Sequence, residues 1–132
     1  MKPIGEGIDL GRALIVEDDA ATQERLARLL VELLGVDADI VIANDISSAK
    51  ERIAAHKPGV ALIDIGLPDG SGNQLMQDLR AGHDLKGIAL TGYGTDGDID
   101  SNLAAGFLGH LTKPVTIQAL ENALIKFGLM EI

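Results

Sequence analysis

Short apolar runs alternate along the chain with longer stretches in which apolar residues recur every three or four positions. The runs are ALIV (13–16), DIVIA (39–43), VALI (60–63), GIALT (87–91) and FLGHL (107–111), and each predicts a short strand. Between them lie TQERLARLLVELL (22–34), ISSAKERIAAH (46–56), NQLMQDLR (73–80) and TDGDIDSNLAA (95–105), with IQALENALIKF (117–127) closing the series. The first of these predicts a helix whose face carries Leu26, Leu29, Leu30, Leu33 and Leu34. The last repeats the pattern with Ile117, Leu120, Leu124 and Phe127. The fourth is weak: Gly97, three Asp and few apolar residues lower its helix propensity. It reads either as a frayed surface helix or as an element poised to move.

Five strand–helix pairs of this length call for parallel strands joined by right-handed crossovers. The predicted fold is α/β, a single doubly wound five-stranded parallel sheet with five helices. Residues 1–11, MKPIGEGIDLG, are glycine-rich without a period and read as an N-terminal tail or linker, leaving 12–132 as the domain.

Composition narrows the function. With 132 residues, 46% of them hydrophobic, the chain suits one domain with a packed core. It has no cysteine, which removes disulfides and thiolate metal sites and fits a reducing, cytoplasmic setting. No apolar run is long enough to cross a bilayer, and no signal-peptide core opens the chain, so membrane insertion is not expected. A net charge of −9 and 2% aromatics argue against direct nucleic-acid binding, which needs a basic face and stacking surfaces.

The candidate chemistry lies where strands end. In an open parallel sheet, ligands bind beyond the carboxyl ends of the strands. Glu17-Asp18-Asp19 follow the first strand, Asn44-Asp45 the second, Asp64 ends the third, Thr91-Gly92-Tyr93 follow the fourth, and Thr112-Lys113-Pro114 the fifth. Singly, each has an ordinary explanation: Asp19 and Asp45 read as helix N-caps, Thr91 as a strand-end residue and Lys113 as a solvated cation. Together they converge on one edge. Clustered carboxylates shift each other's pKa or recruit a hard cation, and few carboxylates with open positions suit Mg²⁺. A carboxylate can also act as a nucleophile toward phosphorus, with a cation, an ammonium and a hydroxyl balancing the transferring group.

On LIVEDD (14–19), LIDIGLPDGSG (62–72), ALTGYG (89–94) and HLTKP (110–114), the chain resembles the receiver domain of two-component response regulators over essentially its folded length. The resemblance implies the flavodoxin-like strand order 2-1-3-4-5. It implies that Asp64 is the phosphoacceptor, supplied by a histidine kinase or a histidine phosphotransfer domain. It further implies that Asp18 and Asp64 bind Mg²⁺ directly, with the Gly66 main-chain carbonyl as a third ligand and Glu17 acting through water. Thr91 matches the switch hydroxyl, Lys113 the site amine, and Pro114 a position that follows a cis peptide. The second switch position, usually Tyr or Phe, is His110 here, as in many receivers fused to histidine kinases, and HLTKPV and ALTGYG share that character. The face around the fourth helix, fifth strand and fifth helix is then the expected surface for an output partner or self-association.

Other motifs are set aside. Gly92–Gly97 spells GxGxxG, but it follows the fourth strand and no acid ends a strand roughly twenty residues later. His56, His83 and His110 lie in unrelated segments, which disfavours a histidine metal site. Asp69-Gly70-Ser71-Gly72-Asn73 lacks the closing Glu of a calcium loop and reads as a turn into the third helix. The leading reading is a signalling receiver that catalyses only its own phosphorylation and dephosphorylation. The alternatives are a small phosphohydrolase working through an aspartyl phosphate, or a docking module with a vestigial site. With GLMEI following the last helix, the sequence leaves no room for an output domain, so a stand-alone receiver or a piece of a hybrid kinase is expected.

Overall fold

The computed structural model describes residues 12–80, 82, 85–92 and 96–130. The tail expected over 1–11, His83 and positions 93–95 of the GxGxxG segment lie outside the described residues. Five strands, β1 (Arg12–Val16), β2 (Asp39–Ala43), β3 (Val60–Asp64), β4 (Lys86–Thr91) and β5 (Gly109–Thr112), form one parallel sheet in the order β2-β1-β3-β4-β5. Five helices connect or follow them: α1 (Ala20–Leu34), α2 (Ile46–His56), α3 (Gly72–Arg80), α4 (Asp96–Ala105) and α5 (Ile117–Lys126). This is the doubly wound, flavodoxin-like order expected from the sequence.

Alternation along the strands divides the core into two layers. Ala13, Ile15, Val60, Leu62, Ile88, Leu90 and Leu111 pack with Leu26 and Leu30 of α1 and Leu120 and Leu124 of α5. Leu14, Val16, Ala61, Ile63 and Ala89 point the other way, onto Ala49 and Ile53 of α2, onto Leu75, Met76 and Leu79 of α3, and onto Ala105 and Phe107. The middle strand, β3, is buried along its whole length, which is why it reads VALI rather than as an alternation. Each fully buried Leu of these layers contributes roughly 1.5–3 kcal/mol relative to exposure.

The helix ends follow their caps. The side chain of Asp19 accepts from Thr22 N (2.9 Å), that of Asp45 from Ser48 N (2.8 Å), and that of Thr116 from Ala119 N (3.1 Å), so Asp19 and Asp45 are the N-caps the sequence suggests. Two expectations shift. The fifth strand starts at Gly109 rather than Phe107, because Phe107 instead fills the α3 side of the core, its N–H donating to the Asn102 carbonyl. Ile117, expected on the inner stripe of α5, is 39% exposed; it opens the helix, and the buried stripe begins one turn later at Leu120. The weak fourth helix forms, but its inner side carries Asn102, 1% exposed, with neither side-chain amide atom hydrogen-bonded. No helix among the described residues is long and apolar enough to cross a membrane.

Register places the site. Val16 pairs with Ile63, Asp64 with Leu90, and Thr91 with Thr112, so the strands end nearly flush at one edge. A two-residue hairpin follows β3 there, Gly66–Leu67 against Gly70–Ser71, turning at Pro68-Asp69.

Candidate functional site

Asp64 is the last residue of β3 and is 8% exposed. The chain after it cannot swing freely, because Ile65 N donates to the Leu90 carbonyl (3.2 Å) and Gly72 N to the Ile65 carbonyl (3.0 Å). Gly72 packs so tightly that a β-carbon there would run into the Asp64 carbonyl oxygen and the Ile65 Cα. Glycine is what allows α3 to start directly against the acid-bearing strand end.

The two Asp64 carboxylate oxygens have different partners. Oδ1 accepts from the Gly66 N–H at 3.0 Å, and Oδ2 accepts from Lys113 Nζ at 3.1 Å. The same ammonium lies 2.6 Å from Glu17 Oε2, an ion pair whose geometry is not that of a hydrogen bond, and Oε2 has no other partner. Glu17 Oε1 accepts from Asp19 N at 3.2 Å. Lys113 reaches both acids from the loop after β5, its own N–H donating to the Thr91 carbonyl at 2.8 Å, and the Lys113–Pro114 peptide is cis.

Glu17, Asp18 and Asp64 each place a carboxylate oxygen within 4.8 Å of the others; Glu17 and Asp64 are buried, and Asp18 is exposed. Burial holds the Glu17 carboxyl above its ordinary range, with the Asp64 charge adding to the effect and Lys113 opposing it. Burial also works against the Lys113 charge, but its pairing with Glu17 and Asp64 outweighs that and holds the ammonium above the usual lysine range. Hard oxygen donors, two buried and one facing solvent, with one ammonium for three carboxylates, match what Mg²⁺ requires. These residues fit the ion.

Thr91 ends β4 and is 1% exposed, with its hydroxyl unbonded. His110 lies half-buried on β5, in register with Ala89 and two residues before Thr112, the partner of Thr91. The acids, Lys113 and Thr91 thus gather at one sheet edge, as their positions after the strands required. Among the described residues, Glu17-Asp18-Asp64 is the one acidic or histidine cluster able to hold a metal; Asp69, His56 and His110 take no part.

Sequence reasoning missed three long-range supports. Gln23 Nε2 donates to the Glu17 carbonyl and to Asn44 Oδ1, both at 2.5 Å, joining the ends of β1 and β2. Arg25 Nε donates to the Val115 carbonyl at 2.9 Å, tying α1 to the loop that carries Lys113. Asp69 accepts from the first turn of α2. Only Asp69 carried a local signal, since it sits in a recognisable turn.

A family model described as the response regulator receiver domain matches residues 13–125. The acid tolerance regulatory protein ActR of Rhizobium meliloti is 37% identical over 116 residues, covering 86% of this chain and 57% of ActR. The DNA-binding transcriptional activator DevR/DosR of Mycobacterium tuberculosis is 32% identical over 121 residues, covering 89% of this chain and 54% of DevR/DosR. The chain therefore spans little more than half the length of these relatives. The same fold, with a TM-score of 0.78 and 23% identity over 89% of this chain and 88% of the other, occurs in the co-crystal structure of the Saccharomyces cerevisiae histidine phosphotransfer protein Ypd1 with the receiver domain of its downstream response regulator Ssk1.

Proposed function

The chain belongs to the response regulator receiver domain family, and from that membership we propose that Asp64 accepts a phosphoryl group from a phosphohistidine in a Mg²⁺-dependent phosphorelay. The observation that carries this reading is the convergence on Asp64 of two further carboxylates and the shared Lys113 ammonium, with the unbonded Thr91 hydroxyl at the same sheet edge. The donor is a histidine kinase or a histidine phosphotransfer domain, because an acyl phosphate is formed most directly from a comparably reactive phosphoramidate.

In the proposed transfer, an Asp64 carboxylate oxygen forms the new bond to phosphorus as the bond to the donor imidazole nitrogen breaks. Asp18, Asp64 and the Gly66 carbonyl would hold Mg²⁺ directly, with Glu17 reaching it through water; the ion supplies charge neutralisation for the transferring phosphoryl oxygens. Lys113, already against Asp64, stays paired with the charge as it moves onto the phosphoryl group. The product adds roughly two negative charges beside Thr91. The Thr91 hydroxyl then donates to a phosphoryl oxygen, drawing in its loop, and His110 follows into the space vacated.

Leu103 on α4 (50% exposed) and Ile117 at the start of α5 (39% exposed) are exposed apolar residues, and the α4–β5–α5 face is the surface proposed for a partner or a second copy. The chain is read as a switch that catalyses only its own phosphorylation and dephosphorylation, not as a metabolic enzyme. DNA binding is named for DevR/DosR; for this acidic chain the direct partner proposed is a protein.

Incubation with a small phosphodonor such as phosphoramidate and Mg²⁺, read by intact mass, tests the reading. The wild-type chain is expected to gain one phosphoryl group, and Asp64→Asn or chelation of the metal to gain none. Equal labelling of Asp64→Asn would refute the assignment.

A further inference from the structure

A helix begins with N–H groups that have no partner within it. In α2 all four are satisfied, three by two different acids and one by a serine hydroxyl. Asp45 and Ser48 form a capping box: Ser48 N donates to Asp45 Oδ1 at 2.8 Å, and Asp45 N to Ser48 Oγ at 3.3 Å. The other two belong to Ile46 and Ser47. They donate to Asp69, Ile46 N to Oδ1 at 2.9 Å and Ser47 N to Oδ2 at 3.2 Å. Asp69 comes from 23 residues away, at the tip of the hairpin after β3. A carboxylate suits this place doubly, since both oxygens accept N–H groups and its charge meets the positive end of the helix dipole.

The hairpin that Asp69 fastens is joined to Asp64 at both ends. Its first residue, Gly66, donates its N–H to Asp64 Oδ1. Its last, Ser71, leads into Gly72, which lies against the Asp64 carbonyl. Both ends of the hairpin are therefore fixed at the acid, and the tip at α2. Without the Asp69 contacts, the described hydrogen bonds at the tip disappear, and the Gly66 peptide is left to the two-residue hairpin pairing and its own bond to Asp64 Oδ1.

We propose that Asp69 is a positioning residue for the Asp64 site: by clasping the N-terminus of α2, it sets the Gly66 peptide, and through it the orientation of the Asp64 carboxylate and its Mg²⁺ affinity. The inference rests on reading Glu17, Asp18 and Asp64 as a Mg²⁺ site. An ordinary helix cap would stabilise α2 and do nothing more. The two roles separate because Asp45 caps the same helix end without touching the hairpin.

The test compares Asp69→Ala, Asp69→Asn and Asp45→Ala, each titrated with Mg²⁺ alone and followed by amide shifts and by hydrogen exchange at Gly66. Asp69→Ala is expected to weaken Mg²⁺ binding roughly tenfold, at the lower end for outer-shell partners of a metal site, while Asp45→Ala stays within about twofold of wild type. Asp69→Asn, keeping one acceptor oxygen, is expected to fall between them. Gly66 exchange should quicken in Asp69→Ala and not in Asp45→Ala. Equal losses in the two alanine variants, or an Asp69→Ala protein with unchanged Mg²⁺ affinity and Gly66 protection, would overturn the proposal. A wild-type chain that binds no Mg²⁺ would refute the site reading instead, and Gly66 exchange would still decide whether Asp69 positions the loop.

Discussion

Lys113→Met removes the one ammonium shared by Glu17 and Asp64 while keeping an unbranched side chain of similar length. Its effect on the metal-free protein follows from the geometry. The carboxylate oxygens lie within 4.8 Å of one another, and two unit charges at that distance repel by about 3 kcal/mol at an effective dielectric constant near 20. Asp18 is exposed and screened, so the Glu17–Asp64 pair dominates. Breaking a buried pair by removing one partner costs a similar amount, about 3–5 kcal/mol, so a loss of about 3 kcal/mol in chelator is expected. With a urea m-value near 2 kcal/mol/M, that lowers the unfolding midpoint by about 1.5 M.

The loss also has a predicted pH dependence. Glu17 already has a folded-state pKa above its ordinary 4.5, through burial and the Asp64 charge, and removing Lys113 takes away the group that opposes them. A raised carboxyl pKa contributes stability that is fully present below the unfolded value of 4.5 and is lost as pH rises through the folded one. The deficit of Lys113→Met should therefore be largest near about pH 8 and shrink toward about pH 4.5 as Glu17 takes up its proton. Saturating Mg²⁺ should restore stability at neutral pH by supplying the missing positive charge. Urea titrations at several pH values, with and without Mg²⁺, make the measurement. A variant as stable as wild type in chelator at high pH, or a deficit that does not change with pH, would show that the charge cluster is not organised as described.

Two further substitutions address the unbonded polar groups. Thr91→Val removes a hydroxyl with no partner and keeps the side-chain shape, so metal-free stability should rise by about 1–3 kcal/mol in urea unfolding. The conformational response to phosphodonor, read by amide shifts in α4 and β5, should shrink without vanishing. Asn102→Leu replaces a buried amide with two unbonded atoms by an apolar group of similar size, and should stabilise the chain by about 1–2 kcal/mol and slow amide exchange in α4. A destabilised Asn102→Leu would refute the reading of this amide as an unpaired buried group.

The sheet was readable because each strand is a short apolar run between helical stretches, and parallel order follows from that alternation. The placement of the candidate site was readable because its residues follow strand ends, and register then brings Val16, Asp64, Thr91 and Thr112 to one edge. Periodicity failed at chain ends of elements. Ile117 has the spacing of a core residue, but it occupies the first helical position, before the stripe turns inward. Periodicity was also silent on Asn102, whose inward placement depends on how α4 seats against α3 and β5. Contacts such as Gln23 to Asn44, Arg25 to Val115 and Asp69 to α2 join residues 21 to 90 positions apart, and no local pattern encodes them.

The energetics of these groups limit how the proposed switch can work. Moving a two-state equilibrium from 1:99 to 99:1 requires about 5.5 kcal/mol of differential interaction. A buried hydroxyl with no partner costs about 1–3 kcal/mol, and that is the most the Thr91 hydroxyl regains by bonding a phosphoryl oxygen. Thr91 alone therefore shifts the population by roughly tenfold to a hundredfold, short of a full switch. The remainder has to come from groups that also change partners when charge is added at Asp64. Lys113 is the one already in contact, shared with Glu17 before transfer and drawn toward the phosphoryl oxygens after it. That rearrangement leaves Glu17 with less neutralising charge and so favours a cation beside it. Under the proposed mechanism, phosphorylation, Mg²⁺ binding and the movement of Thr91 are thus linked through one ammonium, and a defect in any of them should appear as a defect in all three.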